Sequence, residues 1–307
     1  MRKIVLVILL ILGLVSFNCS SSKEEKLVVG LSLSSLKDPF LLTLKQSAEQ
    51  SAEQNNIRLV VTESQANLAK QINAVEDLMQ RGVDILVLNP VDAKGIIPAV
   101  EAANEAGIPV LTVDTDALGG EKISFIGSDN VKGGRLAGEY IIEKLGGRGN
   151  VAILDDVPGK AAIIDRIAGF KEALEQEPAM KIVSVQPAYG RRDMAITVTE
   201  NLLQAHPEIN AIFSTCDEMA MGVMDVLITS GIKNKIILVG FDASEEAQEA
   251  IRDNKLDADI AQFPDKMGIL FIEAALKVAN GEKVENYIPT PVILVTRENV
   301  DTFKTSN

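Results

Sequence analysis

Lys235-Ile236-Ile237-Leu238-Val239-Gly240-Phe241-Asp242 puts a run of apolar, strand-forming residues ahead of a glycine, an aromatic ring and a carboxylate. A run that short and that apolar suits a strand over 235–239, buried on both faces of a parallel sheet. In an open parallel α/β sheet, ligands bind in the crevice outside the carboxyl ends of the strands. Phe241 and Asp242 placed there fit a hydroxyl-rich ring: the aromatic covers its C–H face and the carboxylate accepts its O–H groups.

The same ending recurs along the chain. Ile85 to Leu88 runs into Asn89, and Val110 to Val113 runs into Asp114. Ala211 to Phe213 runs into Ser214, Thr215, Cys216 and Asp217, and Ala258 to Ala261 runs into Gln262. Strands are expected at 27–31, 57–62, 84–88, 109–113, 123–126, 150–154, 181–185, 210–214, 235–239, 258–261 and 291–295. Helical spacing lies between them: Ile72, Val75, Leu78 and Met79 share a face, as do Ile163, Ile167, Phe170 and Leu174. That alternation means βα units and parallel sheets.

An internal repeat divides the chain. Ile57 to Val61 leads through Glu76-Asp77-Leu78-Met79-Gln80 to the strand at 84–88. Lys181 to Val185 leads likewise through Glu200-Asn201-Leu202-Leu203-Gln204 to the strand at 210–214. Two similar α/β lobes with their strand ends opening toward each other form an interlobe cleft, a common ligand site. Phe125-Ile126-Gly127-Ser128-Asp129-Asn130, with Gly133-Gly134, reads as a crossing between the lobes with little helix content. Pro264 opens a further helix carrying Leu270, Ala274 and Leu276, which ends near Asn280-Gly281.

The totals restrict the function. With 307 residues of which 47% are hydrophobic, the chain has material for two cored domains. A net charge of -13 disfavours nucleic-acid binding, which needs a basic face. Residues 1–19 read as an export segment: Arg2 and Lys3, an apolar stretch from Ile4 to Val15 too short to span a bilayer comfortably, then Cys19. Cys19 is the expected lipidation site of a bacterial lipoprotein, and residues 20–26 are a solvated tether. Membrane contact is then expected only through that anchor. Lipidation of Cys19 leaves Cys216 without a disulfide partner.

Much chemistry is missing. There is no G-x-x-x-x-G-K-[ST] phosphate loop, and Gly133-Gly134-Arg135-Leu136-Ala137-Gly138 has the wrong spacing for a dinucleotide fingerprint. The sole histidine, His206, sits before Pro207 at a helix end, so neither a zinc-type site nor a Ser/His or Cys/His triad is expected. No cofactor and no metal is expected. Paired carboxylates leave a glycoside hydrolase as the enzymatic rival.

Several stretches together are specific enough to name a family. They are Asp38-Pro39-Phe40, Ile85 to Pro90, Ile108-Pro109-Val110, Ser128-Asp129-Asn130 with Gly133-Gly134, Arg166 with Gly169-Phe170, and Gln204-Ala205-His206-Pro207. To these add Asp217-Glu218-Met219-Ala220, Val239 to Asp242, and Ile260-Ala261-Gln262-Phe263-Pro264-Asp265. Residues 27 to 296 resemble the periplasmic sugar-binding proteins of ABC importers, most closely the ribose-binding branch.

The resemblance implies two Rossmann-like lobes with parallel sheets joined by three hinge crossings, the type I periplasmic binding fold. The crossings fall near Ser128, Gln262 and Pro291. The N-terminal lobe is then 27–128 with 263–291, and the C-terminal lobe 129–262 with 292–307. The implied ligand contacts are Asp38, Phe40, Leu41, Asn89, Asp114, Thr115, Arg166, Gly190, Cys216, Phe241, Asp242 and Gln262, with Tyr189 a neighbouring substitute for an aromatic.

Asn89, Asp114, Arg166, Phe241, Asp242 and Gln262 match the ribose-binding pattern, whereas five positions depart from it. Asp38 stands in place of Asn, Leu41 of Phe, Thr115 of Arg, Gly190 of an aromatic and Cys216 of Asn. The expectation is a neutral sugar or polyol of the ribose-like class, or an amine-bearing relative, bound without covalent chemistry by hinge closure and passed to an ABC permease by a monomer. A sugar-responsive repressor shares this fold, but its basic helix-turn-helix is absent from the apolar N-terminus. A receptor for a sugar or quorum signal in chemotaxis is the alternative role on the same fold.

Overall fold

The computed structural model describes residues 26–303, so the expected export segment, Cys19 and most of the tether lie outside the described residues. The first sheet contains β1 (Val28–Leu33), β2 (Arg58–Glu63), β3 (Ile85–Leu88), β4 (Val110–Val113), β5 (Ser124–Ser128) and β11 (Tyr287–Thr290). The second contains β6 (Gly149–Asp155), β7 (Met180–Pro187), β8 (Ala211–Ser214), β9 (Ile237–Asp242), β10 (Ala258–Ala261) and β12 (Ile293–Thr296). Their orders are β11-β5-β4-β3-β1-β2 and β12-β10-β9-β8-β6-β7, the same doubly wound order twice. The internal repeat is the pair of units around β2–β3 and β7–β8.

Nine α-helices cross over among the described residues: α1 (Pro39–Gln54), α2 (Leu68–Gln80), α3 (Ile97–Glu105), α4 (Asn130–Leu145), α5 (Ala161–Leu174), α6 (Arg192–Ala205), α7 (Asp217–Thr229), α8 (Glu245–Arg252) and α9 (Pro264–Ala279). None is long and apolar enough to cross a membrane. Central strands β3, β4, β8 and β10 are buried at every residue, as continuous apolar runs demand. Each lobe has its own core, including Leu31, Leu44, Val87 and Phe271 in the first and Phe170, Phe213 and Val239 in the second.

The chain passes between the sheets three times: from β5 into α4, from β10 into α9, and from β11 into β12. α9 lies against α1, where a Cβ on Gly268 would run into Ser47 and the Leu44 backbone. Its buried face is Met267, Gly268, Phe271, Ile272, Ala274 and Ala275, while Leu270 and Leu276 are only partly buried.

Three expectations are corrected. The strand expected at 291–295 is β12 at Ile293–Thr296, antiparallel to β10, and a further strand, β11 at Tyr287–Thr290, precedes it in the other sheet. Pro289 lies in β11, the edge strand of its sheet, and Pro291 in the break between the two strands, places where a missing N–H costs no ladder bond. The stretch 125–134 is not poor in helix: Asp129 caps α4 by accepting from Lys132 N at 3.0 Å, and Gly133 and Gly134 lie inside the helix. A Cβ at Gly134 would collide with the Arg166 carbonyl, and one at Gly169 with the Val131 carbonyl. Helix propensity yields here to the close approach of α4 and α5. Finally, β9 begins at Ile237 and continues through Gly240 and Phe241 to Asp242, so the last two residues point to opposite faces.

Candidate functional site

The C-terminal ends of both sheets face one cleft of about 1620 Å³ lined by both lobes. On the first-lobe side, Asn89 follows β3 and is 1% exposed. Its Oδ1 accepts from Ser34 N at 3.1 Å and Ser34 Oγ at 2.6 Å. Its Nδ2 donates to Val113 O at 3.3 Å and Asp114 Oδ2 at 2.9 Å. Asn89 is therefore spent within the wall, and its work is to aim Asp114. Gln71 on α2 supports the same loop, donating to Asn89 O and accepting from Val91 N, both at 2.8 Å. Nothing in the spacing of α2 singles out that glutamine.

Asp114 has a left-handed φ of 65° after β4. Burial raises its carboxyl to about 6, against the pull of Arg166 and Lys160. Asp38 caps α1, accepting from Phe40 N at 2.9 Å, and burial raises it too. Phe40 sits at the edge of the core and faces the cleft. Leu41 does not: it is 2% exposed, packed in the first-lobe core.

On the second-lobe side, Arg166 projects from α5. Its Nε donates to Asn130 Oδ1 at 2.9 Å, its Nη1 to Thr215 O at 2.6 Å, and Nη1 lies 3.7 Å from Asp242 Oδ1. Its guanidinium also covers Phe241, 3.8 Å from the ring centre. That corrects the part expected of Phe241. Strand alternation sends this ring away from Asp242 into the second-lobe core, and the face expected to carry a sugar carries Arg166. Gly133 belongs to the same packing, since a Cβ there would lie 2.7 Å from the Phe241 ring.

Asp242 accepts from Gln262 Nε2 at 2.6 Å, so the strand end is tied to the crossing before α9. Burial holds its carboxyl well above the usual range, opposed by Arg166 and reinforced by Asp217 and Asp38. Behind it lies a buried acid pair. Asp259 Oδ1 accepts from Ala243 N at 3.0 Å, and Asp217 Oδ2 accepts from Ser244 N at 2.7 Å. Asp217 Oδ1 and Asp259 Oδ2 both flank the hydrogen side of Gly240 and have no other partner. Burial raises both carboxyls, that of Asp259 further because the Asp217 charge adds to it, and Gly240 is the residue that makes room.

Cys216, Tyr189 and Gly190 face the cleft. Cys216 has its thiol pushed well up by burial and by Asp156 and Asp242, which makes it an unreactive wall residue. Tyr189 is 48% exposed at the mouth. Two residues missed by the sequence reading join them: Lys160 and Asp156 pair at 2.9 Å. Both follow strand β6 in a loop that carries no family signature, so only the geometry finds them. The same loop and the first turn of α5 touch the first lobe: Ala93 N donates to Gly159 O at 3.0 Å, and Ala162 N donates to Thr115 Oγ1 at 3.3 Å. Thr115 is thus an interlobe contact, 1% exposed. His206 is remote, its Nδ1 3.2 Å from Glu208 at the end of α6. Among the described residues no group of His, Cys, Asp and Glu has metal-site geometry.

The periplasmic binding protein domain family matches residues 29–283. The ribose import binding protein of Bacillus subtilis is 40% identical over 279 residues, 91% of this chain and 90% of the relative. An ABC transporter solute-binding protein from Actinobacillus succinogenes, solved with bound D-allose, superposes with a TM-score of 0.85 at 30% identity, covering 91% of this chain and 100% of that one. One from Bacillus halodurans with bound myo-inositol gives 0.86 at 31% identity, covering 92% and 98%. Each is named for binding a solute and none for a reaction, in agreement with the expectation of binding without covalent chemistry. The doubly wound lobes, the cleft between their strand ends and these likenesses together make this chain a member of the periplasmic binding protein family.

Proposed function

We propose that the protein is the extracytoplasmic solute-binding component of an ABC importer, and that its solute is a polyhydroxylated sugar or polyol, uncharged or cationic. One observation carries this: Asp114 from the first lobe and Asp242 from the second act on the same guanidinium, that of Arg166, across the cleft. Carboxylates accept and do not donate, so they ask for a ligand rich in O–H or N–H groups. A sugar acid or phosphate would add negative charge to a partly dry site that already holds four carboxyl groups. The relatives' ligands, ribose, allose and inositol, are all polyols.

The three passages between the sheets serve as hinges, the lobes close on the solute, and the closed monomer docks on a permease. Asp38, Phe40, Asp114, Arg166, Tyr189, Gly190, Cys216, Asp242 and Gln262 form the binding surface, and Asn89 and Thr115 hold its frame. Cys19 anchors the chain to the outer face of a membrane. A thermal-shift screen over sugars and polyols tests the reading, because a solute that binds only the folded state raises the melting temperature. A rise with one or more polyols is expected; no rise anywhere in a broad panel would overturn it.

A further inference from the structure

Lys160 is largely enclosed in the cleft wall, its side chain 19% exposed. Lys37, Arg191, Arg192 and Arg252, which also line the cleft, are all more exposed. Lys160 Nζ donates to Asp156 Oδ2 at 2.9 Å and to no other atom among the described residues. An ammonium carries three donors, so two remain for a solute.

The chain on either side of Lys160 rests on the first lobe. Gly159 O accepts from Ala93 N at 3.0 Å, and Ala162 N donates to Thr115 Oγ1 at 3.3 Å. These two contacts set a second-lobe ammonium against first-lobe carboxylates when the lobes close. Burial opposes its charge, but Asp156 together with Asp38 and Asp114 of the first lobe outweighs burial and holds the ammonium protonated. Asp38 and Asp114 can accept from a solute's O–H groups but cannot donate, so each hydroxyl they hold still presents lone pairs that need donors. Lys160 is placed to supply them from the other lobe.

We propose that Lys160 is a solute-binding residue, donating from its ammonium to a hydroxyl oxygen of a polyol whose O–H groups the first-lobe carboxylates hold. This rests on the sugar-and-polyol reading and deepens it. Calorimetry of the full chain tests it, first over pentoses, hexoses and cyclitols including D-ribose, D-allose and myo-inositol, then over every monodeoxy analogue of the tightest of them. Lys160→Met should weaken that parent polyol by about tenfold or more, since a hydrogen bond to a charged group is lost. In the wild type one monodeoxy analogue should bind about tenfold more weakly than the parent, and in Lys160→Met that penalty should shrink to about threefold or less. A lysine that only pairs with Asp156 would leave the penalty unchanged. Lys160→Met strips Asp156 of its cation, so Lys160→Met combined with Asp156→Asn gives a second reading in which no buried charge is left unpaired. The same deoxy penalties in the wild type and both variants overturn this proposal and leave the polyol reading standing. Silence of the whole panel overturns both.

Discussion

The guanidinium carbon of Arg166 sits 3.8 Å from the centre of the Phe241 ring, and the ring itself is fully buried. One core aromatic thus fixes the position of one cleft cation. Phe241→Ala should cost about 3–5 kcal/mol of stability, the usual loss for a buried phenylalanine. It should also weaken solute binding, because Arg166 loses its platform. Urea unfolding and calorimetry on the same variant read the two effects. Wild-type affinity in a destabilised Phe241→Ala protein would show that Arg166 is held by its hydrogen bonds alone.

Arg166 makes directional bonds that an ammonium cannot reproduce. Arg166→Lys should lose about 2 kcal/mol or more of solute binding, although the charge is kept. Calorimetry against the best solute checks it, and affinity close to wild type would count against a fork-specific role.

Gly159 has a φ of 101° and a Cβ there would strike Asp92 of the opposite lobe. Gly159→Ala should therefore hinder closure, where Gly159 O meets Ala93 N. In solution scattering the wild type should contract when saturated with solute and this variant should contract less. Equal contraction would remove the contact from the closure mechanism.

Asp114 links binding to pH. With its carboxyl lifted to about 6, the folded protein keeps a proton that the unfolded chain gives up nearer 4. Its contribution to stability therefore declines as pH rises from about 4 to about 6 and is flat above. Solute affinity runs the other way, because donors on the solute favour the ionised carboxylate. Affinity should rise through pH 6 with release of a proton. Calorimetry at pH 6 in buffers of different ionisation enthalpy measures that release, and an identical heat in all buffers would refute it.

The Asp217–Asp259 pair should mark the stability curve. Asp259 keeps its proton well above the ordinary carboxylate range, so the folded state loses stability as pH rises through that raised value. Asp259→Asn can still donate to Asp217 and accept from Ala243 N, so it should fold and flatten the decline. Asp259→Ala should cost about 1–3 kcal/mol by leaving buried groups unpaired. Urea midpoints measured across pH decide it; the same slope in wild type and Asp259→Asn would mean that no proton is shared.

Much of this was legible in the chain itself. Short apolar runs ending in Asn89, Asp114 and Asp242 announce buried parallel strands, because a strand covered on both faces has no room for polar alternation. The repeat announces two lobes, since each copy carries a complete βα unit. The cleft carboxylates were legible for the same reason: parallel strand ends face one way. What only tertiary structure decided is which side chains meet. Phe241 faces the core rather than the cleft because β9 runs three residues further than its apolar run suggests, and alternation then sets each side chain's direction. Gly133 and Gly134 look like helix breakers, yet they lie in α4 because contact with α5 outweighs propensity. Lys160 and Asp156 came from no local pattern, and Asp217, legible as a strand end, gave no sign of its pairing with Asp259. Asp217 and Asp259 meet from elements distant in sequence, and burial, which gives all these charges their force, exists only once the lobes are folded.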